Sequence, residues 1–347
     1  LGIINISNGK KLSGLIDIET AKKIDGIYSY DGMGGTSLVF KNVLSKFLET
    51  VSYSKADLKI SDDLMFTHVA EYDSKTIVSA SPIDDTLDKT ILICFSEGKI
   101  EWTKIFEKII VDIAIESKMI FLVAKNVNTN PIQNSVSCID LSGNIIWEKI
   151  IVNGGGNPSM KFFEGMLYIC YSIFGTKGSV TQKLRKMDFE GNIIWDINVV
   201  YSLFSNIVVG SLGIYHGNNL YNLDGVKTSD KLIDVGDHSL LTKNGILIIQ
   251  YDFTNCYVKK IDFNQNEIMS VDISKYVGAI FIQDIYLDKS ESLYIITNYQ
   301  HVVKFDRNGK FIWDLSVDKG IIYDLSISDK NVISVAISNG IRVYNQS

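Results

Sequence analysis

Proline is nearly missing, with 3 residues in a chain of 347. Cysteine is scarce too, at 4, and no two cysteines stand within metal-ligand spacing. That argues against a CxxC redox pair and against a cysteine zinc site. Basic residues gather only in short groups such as Lys10-Lys11 and Lys22-Lys23, and the net charge is -6. A nucleic-acid footprint needs clustered Lys and Arg, so DNA and RNA are not expected partners. No apolar run approaches the ~20 residues of a membrane span. Leu1 to Lys11 has no charged n-region and no long apolar stretch. The expectation is that the chain does not use a cleaved leader, or has already lost one. GxSxG, HExxH and P-loop sequences do not occur. His68, His216, His238 and His301 lie too far apart for metal spacing. No catalytic residue, metal or cofactor is expected.

What the chain does hold is apolar bulk. Hydrophobic residues make up 46% and charged residues 21%, enough for a sizeable core and too apolar for wholesale disorder. The 17 tyrosines and 16 phenylalanines, with abundant Ile and Val, favour strands over helices. Cys94, Cys138, Cys170 and Cys256 each sit among strand formers, as in Ile93-Cys94-Phe95. They read as buried free thiols used as small apolar residues, which suits a reducing compartment.

One unit recurs. It reads Cys94 to Trp102 (CFSEGKIEW), Ile139 to Trp147 (IDLSGNIIW), Met187 to Trp195 (MDFEGNIIW) and Phe305 to Trp313 (FDRNGKFIW). All 4 tryptophans of the protein fall at the same place in it. Degenerate copies have Asn222 to Gly225 with Ser229 in the Trp position, and Ile261 to Met269 with Met269 there. The marker glycines and their equivalents recur roughly every 42 residues, the period of a four-stranded blade. Asp bonds its own backbone and Gly accepts positive φ, so the unit is a tight hairpin turn. Strict period-two alternation after the turn would send Ile145 and Trp147 together into the packing between blades. Trp102, Trp147, Trp195 and Trp313, with Gly98, Gly143, Gly191 and Gly309, are therefore assigned structural roles.

A second set of turns interleaves with the first, at Asp73-Ser74, Ser117-Lys118, Glu164-Gly165, Gly210 to Gly213, Asn244-Gly245, Asp288 to Ser292 and Ser328 to Lys330. These are the turns between first and second strands. Seven of them face six copies of the Asp-Gly-Trp unit, and the chain ends on a third strand, Gly340 to Tyr344. The missing fourth strand is expected from Glu49 to Ile60, which would close the ring and remove exposed edges. The fold expected is all-β: a seven-bladed β-propeller over residues 46–347 behind a small attachment segment, 1–45. Within that segment, Leu38 to Leu48 is expected to pass from strand into a short helix.

The Asp-x-x-Gly-x-Ile-x-Trp unit resembles the repeats of PQQ-like, or quinoprotein-like, β-propellers, over about 93–347 with cognate strands from about 64. Enzymes of that group use more blades, a quinone, calcium and often a vicinal disulfide. This sequence has no adjacent cysteines. Other members are scaffolds in envelope protein assembly. Ala21 to Tyr28, running on to Ser37 to Lys41, is similar to a short element in tail and baseplate proteins of bacteriophages and related contractile particles. Thr36-Ser37 stands where Ala-Arg is usual there.

Loop length supplies the candidate site. The loops between second and third strands are long in blades 1 to 3, at Ser81 to Lys89, Asn126 to Asn134 and Phe174 to Thr181, and short in later blades, as at Tyr299-Gln300. Three adjacent long loops on one face of a rigid scaffold form a recognition surface. Its candidate residues are Asp84, Asp85, Asp88, Asn126, Asn128, Asn130, Gln133 and Lys177. The function expected is a non-enzymatic binding or structural module of a phage tail or phage-derived contractile particle. Residues 1–45 would meet neighbouring tail or scaffold proteins, and the loop face a cell-surface glycan or protein. The expected location is the virion or a phage-like particle. The alternatives are a scaffold in the cell envelope and, behind it, a quinoprotein or glycan-active enzyme.

Overall fold

A strand covered on both faces should read as an unbroken apolar run, and the middle strands of this chain do. Ile120, Phe121, Leu122, Val123 and Ala124 are all buried, as are Leu293 to Thr297. The structure is a computed structural model that describes residues 27–30, 36–39, 47–54, 64–82, 89–96, 99–156, 158–175, 178–202, 206–229, 238–251, 255–277, 282–297, 300–317, 320–328 and 332–346. It is a seven-bladed β-propeller of four-stranded antiparallel sheets, with a separate hairpin of Ile27–Tyr30 and Thr36–Val39.

Blade 1 uses Leu64–Tyr72, Lys75–Pro82, Thr90–Ser96 and Lys99–Phe106. Blade 2 uses Ile109–Glu116, Met119–Asn126, Gln133–Asp140 and Ile145–Asn153. Blade 3 uses Ser159–Phe163, Met166–Phe174, Val180–Met187 and Ile193–Val199. Blade 4 is the smallest, with Val208–Gly210, Gly213–His216, Asn219–Tyr221 and Lys227–Ser229. Blade 5 uses Ser239–Thr242, Gly245–Tyr251, Cys256–Asp262 and Glu267–Asp272, followed by one helical turn, Ser274–Val277. Blade 6 uses Ile282–Leu287, Leu293–Thr297, His301–Phe305 and Phe311–Ser316. The turns between first and second strands of blades 1 to 6 fall where the sequence places them; Asp329 and Lys330 lie outside the described residues.

Blade 7 has Ile322–Ile327, Val332–Ile337 and Gly340–Gln346, and its fourth strand is Phe47–Ser54. The register runs Glu49↔Tyr344, Val51↔Val343 and Ser54↔Gly340. The ring is thus closed by hydrogen bonds between distant parts of the chain, from a strand that starts two residues earlier than Glu49. The short helix expected to extend to Leu48 is corrected at its end: Phe47 and Leu48 lie in this strand, because pairing with Gly340–Gln346 satisfies their backbone.

The core lies between blades. Ile77, Leu92 and Cys94 of blade 1 pack with Ile113, Ile120 and Leu122 of blade 2. Their sequence neighbours Val78 and Ile93 point the other way, onto Ala336 and Ile341 of blade 7. This is period-two alternation with both sides buried. All four cysteines are free and buried in these layers, and burial pushes the Cys94, Cys170 and Cys256 thiols up to about 12. Among the described residues, no helix is long and apolar enough to cross a membrane.

The repeat unit is the device that fastens one blade to the next. In the turn at Asp140, the carboxylate accepts the amides of Ser142 and Asn144, both at 2.8 Å. Asp188, Asn222, Asp262 and Asp306 do the same in their own turns. The Trp indole of one blade then donates to the turn of the next: Trp102 to Leu141 O at 3.0 Å, Trp147 to Phe189 O at 2.7 Å and Trp195 to Leu223 O at 3.2 Å. The ring lies on the turn glycine. A Cβ at Gly143 would stand 3.0 Å from Trp102, and one at Gly191 2.9 Å from Trp147. In the degenerate copy Val271 crowds Gly309, at 2.5 Å from an added Cβ, with Met269 Sδ behind it at 3.5 Å. Gly98 lies outside the described residues.

Simple alternation fails at one point. Ile145 and Ile146 are 45% and 53% exposed, so Ile145 does not join Trp147 between the blades. The cause is a β-bulge: Ile139 pairs with Ile145, and Cys138 with Trp147, leaving Ile146 unpaired. The same break precedes Trp102, Trp195, Ser229, Met269 and Trp313. An extra residue in the outer strand shifts the alternation by one step, so the Trp turns inward and the Ile outward.

Candidate functional site

The face carrying the loops between second and third strands also carries the connectors between blades, since strands alternate in direction. In blade 2 the loop from Asn126 to Gln133 is held in place. Asn126 Oδ1 accepts the amide of Asn128 at 3.1 Å, and Thr129 Oγ1 donates to Asn126 O at 2.9 Å. The Asn130-Pro131 peptide is cis. The loop leans on the glycine connector to blade 3: Gly154 donates to Ile132 O at 2.6 Å, and Phe174 donates to Gly154 O at 3.0 Å. Asn134, fully buried, donates to Gly156 O at 3.1 Å. The absence of a side chain at Gly155 matters here, because a Cβ would stand 2.2 Å from Ser172 O.

The result is a platform built from blades 2 and 3. Asn128 and Asn130 project from it, Asn126 and Gln133 are half-buried at its base, and Phe174 is 58% exposed beside it. Tyr201, also exposed, follows the last strand of blade 3 on the same face. The structure therefore gathers Asn126, Asn128, Asn130 and Gln133 in one loop. Asp84, Asp85, Asp88 and Lys177 lie outside the described residues.

A second site lies on the axis. The inner strands enclose a cavity of about 600 Å³. Into it, four blades present a polar residue immediately after a β-bulge: His68, Asp112, Asp284 and Asp324. The bulge frees backbone groups that the neighbouring blade or the polar side chain takes up. Gln283 Nε2 donates to Tyr323 O at 3.1 Å, and Asp324 accepts the amide of Val69 at 2.8 Å. His68 Nδ1 lies 3.0 Å from Thr67 Oγ1 and from Ser79 Oγ. Burial lowers the His68 imidazole to about 4, against a backbone hydrogen bond with Val111, so it is neutral at pH 7.

The carboxyls of the cavity respond to the same burial. Burial raises Asp112, opposed by Lys161 and reinforced by Asp284. Burial also raises Glu71, against hydrogen bonds from Ser334 and from Thr76 at 2.7 Å. Burial pushes Asp324 up to about 7, against hydrogen bonds from Tyr286 and the Val69 amide. Among the described residues, no three His, Cys, Asp or Glu side chains are grouped so as to hold a metal ion.

Neither composition nor the repeat unit marks these polar residues as one ring, although the sequence holds a signal. Ile110-Val111-Asp112-Ile113, Ile282-Gln283-Asp284-Ile285 and Ile322-Tyr323-Asp324-Leu325 share one pattern, each shortly before a first-to-second-strand turn. An aspartate between apolar residues of an inner strand is the mark of an axial position.

No known family and no curated protein sequence matches the chain. Similar folds are found among solved structures. The WD40 β-propeller domain of Doa1 has a TM-score of 0.59 at 11% identity, over 87% of this chain and 97% of that one. Streptogramin B lyase has a TM-score of 0.58 at 11% identity, over 87% and 99%. BamB from Moraxella catarrhalis has a TM-score of 0.47 at 11% identity, over 80% and 81%. At such identity the likeness concerns the fold alone.

Proposed function

We propose that this chain is a non-catalytic binding module whose recognition surface is the loop face of blades 1 to 3. The observation that carries this reading is the platform at Asn126–Gln133. The loop is fixed by hydrogen bonds to its own backbone and to the glycine connector, yet presents Asn128, Asn130 and an exposed Phe174. A loop ordered before binding loses little conformational entropy on contact. Exposed amide side chains beside an aromatic ring suit a polar, ring-shaped surface such as a glycan, or a protein patch of mixed character.

The setting we propose is the tail of a bacteriophage or a related contractile particle, on the strength of the sequence element Ala21 to Lys41. Residues 1–45 then dock to the particle and the propeller meets the cell surface. Labelled protein is mixed with bacterial cells and, separately, with tail particles prepared without it. Asn128→Ala with Phe174→Ala is expected to lower cell binding at least tenfold at an unchanged melting temperature. Removal of residues 1–45 is expected to abolish incorporation into particles while cell binding persists. Wild-type cell binding by the double variant refutes the loop face, and full incorporation of the shortened chain refutes the docking role.

A further inference from the structure

A phenol carries one hydroxyl hydrogen, and Tyr286 is asked to serve two carboxylates with it. Its oxygen lies 2.5 Å from Asp324 Oδ1 and 3.1 Å from Asp284 Oδ2. With both aspartates ionised, only one contact is a hydrogen bond and the other sets lone pair against lone pair. One added proton removes the conflict. A protonated Asp324 donates to the phenol oxygen, and the phenol donates to Asp284. The remaining oxygen of Asp324 stays free to accept the Val69 amide at 2.8 Å. These residues come from three blades: Asp284 and Tyr286 from blade 6, Asp324 from blade 7 and Val69 from blade 1.

Backbone amides also reach the pair, Leu325 N to Asp324 Oδ1 and Ile285 N to Asp284 Oδ1, each at 2.7 Å, but the surroundings offer few cations to balance the charge. Blade 1 contributes His68, held neutral by burial, and Glu71, bonded by Thr76 and Ser334. Blade 2 contributes Asp112, and blade 3 contributes Lys161, whose charge bears on Asp112. Blade 7 adds the Tyr323 phenol, and the described lining from blades 4 and 5 is uncharged, at Asn206, Ser239 and Leu240. Carboxyl groups thus outnumber cations among the described lining residues, and a proton is the smallest ion that balances them.

We propose that Asp284, Tyr286 and Asp324 hold one shared proton, and that this clasp tightens the seam between blades 6, 7 and 1 as pH falls and loosens it as pH rises. The direction follows from linkage. Burial holds Asp324 up at about 7, above the ~3.9 of an unfolded aspartate. Its contribution to stability is complete below about 4 and is lost as pH rises through about 7. Between those limits one proton linked to folding lowers the folding constant by up to about tenfold per pH unit.

The test uses the full chain with its aspartate carboxyl carbons labelled. Nuclear magnetic resonance follows their titration from pH 4 to 9, and denaturant unfolding is measured at each pH. One aspartate carboxyl is expected to titrate near pH 7, with the folding constant falling from about pH 4 to 7 and levelling above. Asp324→Asn is expected to remove both the signal and the slope. Aspartate carboxyls that all titrate below about pH 5 overturn the proposal, as does a wild-type slope in Asp324→Asn. Should that variant not fold, the wild-type titration stands alone with a second readout, hydrogen exchange at the Val69 amide. Its protection through global unfolding, corrected for intrinsic rate, is expected to fall between about pH 4 and 7 and to level off above, and constant protection over that range overturns the clasp.

Discussion

Replacing Gly191 by alanine tests how the blades are fastened, because two separate costs meet there. Gly191 has φ +84°, and an added Cβ would stand 2.9 Å from the ring of Trp147. The left-handed backbone costs an alanine roughly 1–2 kcal/mol. The contact adds an overpacking cost of about 1–3 kcal/mol, because the indole must move away from a carbonyl, Phe189 O, that it holds at 2.7 Å. The sum is about 2–5 kcal/mol. Gly165 supplies the control: its φ is +72° and nothing lies within 4 Å of an added Cβ. Gly165→Ala should therefore show only the backbone cost of roughly 1–2 kcal/mol. Urea unfolding of the two variants isolates the contact with Trp147 as their difference. Equal losses would refute the account of the tryptophan as the clamp on the neighbouring turn.

Other outcomes follow from the same geometry. Trp147→Ala and Trp195→Ala should each lose about 3–5 kcal/mol, since each removes interblade packing and a donor to the next turn. Calorimetry checks this, and wild-type melting by both would refute it. A chain beginning at residue 46 keeps the closing strand Phe47–Ser54 and should melt like the full protein. One beginning at residue 55 leaves Gly340–Gln346 without that partner and should melt earlier and less cooperatively. The four thiols, all buried, should resist a thiol reagent at pH 8 and react together on unfolding. Fast reaction in the native protein would place a cysteine at the surface.

The repeat made most of the fold legible in the amino-acid sequence. A turn with Asp and Gly at fixed places followed by Trp is a local object, and its chemistry holds wherever the chain is cut. The count of seven inner turns against six outer ones implied a borrowed strand, because an unpaired strand edge is costly whatever the fold. The buried cysteines follow from the same local reading. The path of Ile145 did not, since a bulge is set by pairing between strands, and one unpaired residue reverses every later side chain.

The axial site carries a faint mark in the sequence, but only the tertiary structure assembles it. Asp112, Asp284 and Asp324 lie far apart along the chain, and in isolation each is one aspartate in an apolar strand. Closure of the ring brings Asp324 to the Val69 amide and to Tyr286, distances of 2.8 and 2.5 Å that no local pattern encodes. Their proton affinities follow from the same event. A carboxyl's titration depends on how much water the surrounding strands exclude and on which charges face it, and both are set only when seven blades meet around one axis.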